Sequence, residues 1–154
     1  MESRVSEVDT GSPLTVVVAD DDEDIRSLIV IAVRKANLQL LADLPDGTAA
    51  LAAVHEHRPD IVLLDVSMPG LTGLEVTKAI RSNSELAGAI VFILSAAVDD
   101  TAVAAGFAAG ADAYMTKPFS PSTLATQLLQ LLAAQRSGPD ANAPQPPPPP
   151  AEEQ

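Results

Sequence analysis

The sequence predicts an α/β fold, a doubly wound sheet of five parallel strands with helices on both faces. Five short apolar runs recur along the chain, and segments with helical periodicity separate them. The run at Ile61–Leu64 contains only β-branched and aliphatic residues, as a strand buried on both faces requires. Repeated strand–helix units favour parallel pairing, because each helix carries the chain back to the same end of the sheet.

Each element follows from a local pattern. Strands are expected at 14–19, 38–44, 61–64, 89–94 and 113–116, and helices at 22–37, 49–56, 74–81, 99–109 and 121–134. The first helix is predicted from Ile25, Leu28, Ile29, Ala32 and Val33, and the last from Leu124, Leu128, Leu131 and Leu132. Ser120-Pro121 fits a cap followed by proline at the first helical position. Gly106 should weaken the helix at 99–109, since glycine costs about 1 kcal/mol relative to alanine there.

Three regions are predicted from composition. Residues 1–13 are polar and acidic and are expected to be disordered, 14–134 form the folded domain, and 135–154 form a disordered, proline-rich tail. The five prolines from Pro146 to Pro150 favour an extended polyproline helix, which cannot bury a core. The tail is therefore expected to be a solvated spacer or a ligand for a proline-binding partner domain.

The charge and composition exclude several classes of function. The net charge of −12 argues against a nucleic-acid surface or an anionic membrane face, because phosphates would be repelled. There are no cysteines, which excludes disulfides, thiolate metal sites and a cysteine nucleophile. The sequence has no signal-peptide stretch at its start and no apolar run of membrane-spanning length, so a cytoplasmic protein is expected.

Polar residues stand where the apolar runs end. Asp20 and Asp21 follow the first run, Asp65 the third, Ser95 the fourth and Lys117 the fifth. The carboxyl ends of parallel strands lie at one edge of the sheet, where open α/β sheets bind their ligands. The sequence therefore predicts a pocket with three acids, one hydroxyl and one ammonium, suited to a divalent metal and a phosphoryl group.

Four segments together resemble the receiver domain of bacterial two-component response regulators, in a single-domain, chemotaxis-regulator-like form. These segments are 18–26, 65–70, 94–96 and 110–119, within a match that spans about 14–134. The resemblance implies a flavodoxin-like sheet with strand order 2-1-3-4-5.

The resemblance also implies a chemistry for the pocket. Asp65 would accept a phosphoryl group from a phosphohistidine of a partner, with Mg²⁺, or Mn²⁺ in its place, as cofactor. Asp20, Asp21, Asp65 and the backbone carbonyl of Ser67 would hold the metal, with Asp20 acting mostly through a bound water. Lys117 would pair with Asp65 before transfer and with a phosphate oxygen afterwards.

Switching is implied by the same likeness. Ser95 would donate its hydroxyl to the phosphoryl group, and Tyr114 would follow by turning inward. A cis peptide is expected at Pro118.

Ser67 and Ala97 are both small and offer little to position an attacking water, so slow to moderate self-dephosphorylation is expected. Beyond these self-directed reactions, the chain is not expected to be an enzyme.

The sequence is thus interpreted as a phosphoryl-accepting response regulator of a two-component system or phosphorelay, with no output domain. Its partners would be a sensor histidine kinase or histidine phosphotransferase and a downstream protein, with a phosphorylation-dependent homodimer left open. Nucleic-acid binding and direct membrane insertion are not expected.

Two other functions stay open. The first is a scaffold of the same fold that works without phosphorylation. The second is a metal-dependent phosphatase with an aspartyl nucleophile, which usually carries a second acid where Ser67 stands. His55 and His57 are expected on a solvated helix face, so a Ser-His-Asp triad is not formed.

Overall fold

The computed structural model describes residues 13–97, 99–117 and 119–137. Strands and helices alternate in it, in the order β1 Thr15–Ala19, α1 Glu23–Lys35, β2 Gln39–Leu44, α2 Gly47–His57, β3 Ile61–Asp65, α3 Gly73–Arg81, β4 Ile90–Ser95, α4 Asp100–Ala109, β5 Ala113–Thr116 and α5 Pro121–Ser137. The disorder predicted for 1–13 and for 135–154 falls almost entirely outside the described residues, as does the cis peptide predicted at Pro118.

The five strands form one parallel sheet in the order β2-β1-β3-β4-β5, which confirms the predicted topology. Ala19 lies beside Leu64, Asp65 beside Leu94, and Ser95 beside Thr116. These pairings align the carboxyl ends of β1, β3, β4 and β5, so the polar residues there come together at one edge.

The core has two layers, one on each face of the sheet. Val16 and Val18 of β1 pack with residues of α1 and α5, whereas Val17 and Ala19 pack with residues of α2 and α3. Successive side chains of a strand point to opposite faces, so a strand in the middle of the sheet needs apolar residues at every position. β3 meets this requirement, because all five of its residues are buried.

Short polar side chains cap each of the five described helices at its amino end. Oxygens of Asp22, Asp46, Thr72, Asp99 and Ser120 each accept a hydrogen bond from a backbone amide in the first turn. Such caps stabilise a helix by about 1 kcal/mol each. They also fix the loops that leave the carboxyl edge of the sheet, which is where the predicted site lies.

The predicted helix bounds differ from the observed bounds for local reasons. The first helix was expected at 22–37 but spans Glu23–Lys35, because Asp22 is its cap and Asn37 has a φ of 62°. The second begins earlier than predicted, at Gly47, because Asp46 caps it. Despite Gly106, α4 is a continuous α-helix.

Among the residues that the structure describes, no helix is both long enough and apolar enough to cross a membrane.

Candidate functional site

Three carboxylates cluster at the ends of the two central strands. Asp20 and Asp21 follow β1 directly, and Asp65 is the last residue of β3. One oxygen from each carboxylate lies within 4.8 Å of the other two. Asp20 is fully buried and Asp65 is 4% exposed, whereas Asp21 faces solvent. The acids predicted from the sequence therefore do share one site.

Lys117 reaches this cluster from the far side of β4. Its Nζ donates a hydrogen bond to Asp20 Oδ2 at 2.8 Å and lies 3.2 Å from Asp65 Oδ1. Its backbone amide donates to the carbonyl of Ser95 at 2.8 Å, which continues the pairing of β5 with β4. The predicted pairing with Asp65 is present, and the shorter contact, to Asp20, was not predicted.

Burial and charge oppose each other at this site. Burial and the neighbouring Asp20 charge raise the pKa of Asp65 above its ordinary value, although Lys117 works in the other direction. Burial works to lower the pKa of Lys117, but its hydrogen bond to Asp20 and the charges of Asp65 and Asp20 outweigh that effect, so this pKa is raised. The site is therefore crowded with negative charge that a single ammonium only partly compensates.

The loop after β1 is held by a residue to which the sequence analysis assigned no role. Arg26 Nη1 donates to the backbone carbonyl of Asp20 at 2.8 Å, and Arg26 Nε donates to Asp43 Oδ1 at 3.2 Å. The amide of Asp22 donates to Asp20 Oδ1 at 2.9 Å. The apolar periodicity of α1 predicts which residues face the core. It does not predict that the Arg26 side chain turns back toward the end of β1, so the sequence did not reveal this role.

The residues predicted to switch are joined through the backbone of one residue, Ala97. Ser95 Oγ accepts a hydrogen bond from the amide of Ala97 at 3.0 Å, and the Tyr114 hydroxyl donates to the carbonyl of Ala97 at 3.0 Å. Ser95 is buried and Tyr114 is half-buried. The Tyr114 ring lies against α4, where a Cβ on Gly106 would come within 2.9 Å of ring carbon Cδ2. Ring centroids of Tyr114 and Phe107 are 6.5 Å apart.

The remaining predicted residues lie as follows. Ser67 is exposed in the loop that follows Asp65. His55 and His57 are exposed near the end of α2, as predicted.

The donor set suits a hard divalent cation. Mg²⁺ and Mn²⁺ prefer oxygen ligands, and Mg²⁺ keeps several waters while one or two carboxylates bind it. Three carboxylates within 4.8 Å of one another, with Asp21 open to solvent, meet that requirement. A cation here would also relieve the repulsion from Asp20 that adds to burial in raising the pKa of Asp65.

Comparison with known proteins gives the same picture. A family model described as the response regulator receiver domain matches residues 16–129. The DNA-binding response regulator MtrA of Mycolicibacterium paratuberculosis is 38% identical over 113 residues, which are 73% of this chain and 48% of MtrA. The transcriptional regulatory protein CseB of Streptomyces avermitilis is 38% identical over 128 residues, 82% of this chain and 53% of CseB. The chain thus spans about half the length of these curated relatives.

Solved structures agree at the level of the fold and the family. The chemotaxis response regulator CheY4 of Vibrio cholerae superposes with a TM-score of 0.72 at 30% identity, covering 78% of this chain and 99% of CheY4. The signal receiver domain of NarL from Mycobacterium tuberculosis gives a TM-score of 0.73 at 30% identity, covering 78% of this chain and 96% of that domain. With the matching family model, the sheet order and the acid cluster, the chain belongs to the response regulator receiver domain family of two-component signalling.

Proposed function

We propose that Asp65 is the phosphoryl-accepting residue of this receiver domain and takes its phosphoryl group from a phosphohistidine of a kinase or phosphotransferase. The observation that carries the proposal is the placement of Asp65 between the other two acids and Lys117. A carboxylate oxygen of Asp65 lies within 4.8 Å of oxygens of Asp20 and Asp21, and Asp65 Oδ1 lies 3.2 Å from Lys117 Nζ.

The transfer moves one phosphoryl group between two nucleophiles. An ionised oxygen of Asp65 attacks phosphorus, the phosphorus–nitrogen bond of the donor breaks, and its electron pair returns to the imidazole. The product is an aspartyl phosphate. Receiver domains bind Mg²⁺ at such an acid cluster, and the cation supplies positive charge that offsets the negative charge of the transferring group. Asp20, Asp21, Asp65 and the backbone carbonyl of Ser67 are the groups that would hold it.

Lys117 has a separate part in the same step. Its ammonium is shared between Asp20 and Asp65, so its positive charge reduces the repulsion between Asp65 and the incoming phosphoryl group. Lysine is a compact charge on a flexible stem and can change partners with little strain. After transfer, Lys117 binds a phosphoryl oxygen and keeps its contact with Asp20.

Signal output follows from Ser95 and Tyr114. The Ser95 hydroxyl donates a hydrogen bond to a phosphoryl oxygen on Asp65, and Ser95 moves as this bond forms. The movement displaces Ala97, because Ser95 and Tyr114 both form hydrogen bonds with Ala97. Phosphorylation in this way biases a two-state surface around Tyr114 and α4 that a downstream protein recognises.

The same proposal covers the properties of the chain as a whole. Output is through contact with a protein and not with a nucleic acid, and an acidic chain with net charge −12 supports this. MtrA is named as a DNA-binding protein, which makes DNA the natural competing partner to test. The chain acts in the cytoplasm, and its only reactions are its own phosphorylation and slow dephosphorylation.

The deciding experiment is intact mass spectrometry after incubation with acetyl phosphate and Mg²⁺. The wild-type chain should gain a single phosphoryl adduct that EDTA prevents and that Asp65→Asn abolishes. Asp22→Asn is the matched control, since Asp22 is an exposed neighbour outside the cluster and asparagine is an equally good cap.

Three other results would contradict the proposal. An adduct that persists in Asp65→Asn would place the acceptor elsewhere. Absence of an adduct together with absence of Mg²⁺ binding in a titration would favour the scaffold. Steady release of phosphate from a small phosphate ester would favour the phosphatase.

A further inference from the structure

The loop between β3 and α3, residues 66–72, rests on the first turn of α2. The amide of Gly47 donates a hydrogen bond to the carbonyl of Pro69 at 3.2 Å, and the amide of Gly73 donates to the carbonyl of Val66 at 2.9 Å. Between those two bonds lie Ser67 and Met68, and the Met68 side chain is buried in the core. The backbone at Ser67 is therefore held from both sides.

The contact with α2 requires the absence of a side chain at residue 47. A Cβ built on Gly47 would overlap the backbone carbonyl oxygen of Leu71 and lie 2.6 Å from its carbonyl carbon. Those are backbone atoms, so no side-chain rotation can relieve the overlap. Gly47 is buried and is not among the described glycines with positive φ, so its lack of a Cβ, not its conformational freedom, is what the loop needs.

A second glycine makes the reciprocal contact. Gly70 has a φ of 81°, and a Cβ there would lie 2.5 Å from Oγ1 of Thr48, the next residue of α2. At the end of the loop, a Cβ on Gly73 would overlap the carbonyl oxygen of Asp65. The loop that starts at the proposed phosphoacceptor thus meets α2 and β3 through close contacts at three glycines, with backbone atoms at Gly47 and Gly73 and with a side chain at Gly70.

We propose that Gly47 is a positioning residue for the metal site: it lets the first turn of α2 support the β3–α3 loop and so fixes the backbone carbonyl of Ser67 beside Asp65. The inference rests on the proposed function, because Ser67 is a proposed ligand there. A side chain at residue 47 pushes Leu71 outward and carries Ser67 away from its place. Mutation of a group that orients a metal ligand without touching the metal typically lowers metal affinity by about 10–100-fold.

The test compares Gly47→Ala with two controls by calorimetric titration with Mg²⁺. Gly47→Ala should weaken Mg²⁺ binding by about tenfold or more. Gly88→Ala should leave the affinity unchanged, since a Cβ there meets no atom within 4 Å. Ala53→Gly should lower stability through the same helix, beyond the first turn that supports the loop, and should also leave the affinity unchanged.

Amide hydrogen exchange without metal gives a readout that does not depend on Mg²⁺. Gly47→Ala should speed exchange of the Gly73 amide and its neighbours in 66–72, whereas Ala53→Gly should not single out that segment. The proposed function and the role of Gly47 can therefore be tested separately. A wild-type chain that fails to bind Mg²⁺ would overturn the proposed function, and amide exchange would still show whether Gly47 fixes the loop.

A second pair of variants covers the case in which Gly47→Ala does not fold. Gly70→Ala, which strains an exposed loop and contacts Thr48, should also weaken Mg²⁺ binding, and adding Thr48→Ala should restore part of the affinity by removing the contact. The inference is overturned if folded Gly47→Ala binds Mg²⁺ like wild type with unchanged exchange, if Ala53→Gly loses as much affinity, or if Thr48→Ala gives no recovery.

Discussion

The two halves of the carboxyl edge are built in different ways. At the ends of β1 and β3, Asp20 and Asp65 are buried and are held by backbone hydrogen bonds and by glycines that allow close backbone contact. At the ends of β4 and β5, Ser95 and Tyr114 both form hydrogen bonds with the backbone of one residue, Ala97, and the Tyr114 ring lies against Gly106.

This difference matches what each half is proposed to do. A metal and a phosphoryl group need ligands fixed in advance, because misplaced charges bind weakly. A switch needs two arrangements of similar free energy, and a ring held by one hydrogen bond can leave its place at modest cost. The predictions below test whether the first half is rigid and the second adaptable.

The largest effect is expected from Lys117→Met. The variant leaves Asp20 and Asp65 buried without their cation, which should lower the free energy of unfolding by about 3 kcal/mol at neutral pH without metal. Urea denaturation measures the loss, and it should shrink at acidic pH, where Asp65, whose pKa is raised by burial, is protonated, and in the presence of Mg²⁺. A loss that is the same with and without Mg²⁺ would mean that charge compensation is not the role of Lys117.

A second large effect is expected at the amino ends of β4 and β5, the edge of the sheet opposite the acids. There Arg81 donates hydrogen bonds to the carbonyls of Ala87, Ala89 and Gly110 and to Asp112 Oδ2. Arg81→Lys cannot replace this fork, and we expect a loss of about 2 kcal/mol in urea denaturation. Because Arg81 anchors the start of β5, far from the acids, Mg²⁺ affinity should stay within about twofold. A strong loss of Mg²⁺ binding would show that the region around Arg81 and the acid cluster are mechanically coupled.

Asp65→Asn should stabilise the metal-free protein by on the order of 1 kcal/mol at neutral pH. Folding raises the pKa of Asp65, so the protonated carboxyl group stabilises the folded protein. This contribution to stability is lost as pH rises through the raised pKa of Asp65. The advantage of Asp65→Asn is therefore present at neutral pH and disappears as pH falls toward the ordinary value of 3.8. An advantage independent of pH would assign it to packing instead of charge.

The smallest change in stability is expected from Gly106→Ala. The added methyl group displaces the Tyr114 ring, while the better helix former offsets that cost by about 1 kcal/mol. The chain has one tyrosine and no tryptophan, so intrinsic fluorescence reports Tyr114 alone. We expect altered tyrosine emission with a small change in stability, and no change in Gly88→Ala. Unaltered emission would mean that Gly106 does not set the position of the ring.

Much of the fold and of the acid cluster was predictable because the signals are local. Apolar runs of strand length, separated by helical periodicity, predicted a parallel sheet and the element bounds to within a few residues, and the resemblance to receiver domains implied the strand order. Asp20, Asp65 and Lys117 were predictable because a parallel sheet brings its strand ends to one edge whatever the loops do.

The sequence by itself therefore determined which chemical groups meet at the edge of the sheet. Only the tertiary structure decided how they pair: Lys117 approaches Asp20 more closely than Asp65, Arg26 holds the Asp20 carbonyl, and Gly47 supports the loop that carries Ser67. These contacts join residues distant along the chain, and their geometry depends on strand register and on the depth at which each helix packs. No local pattern of residues contains that information, because it arises only when the layers of the fold are packed together.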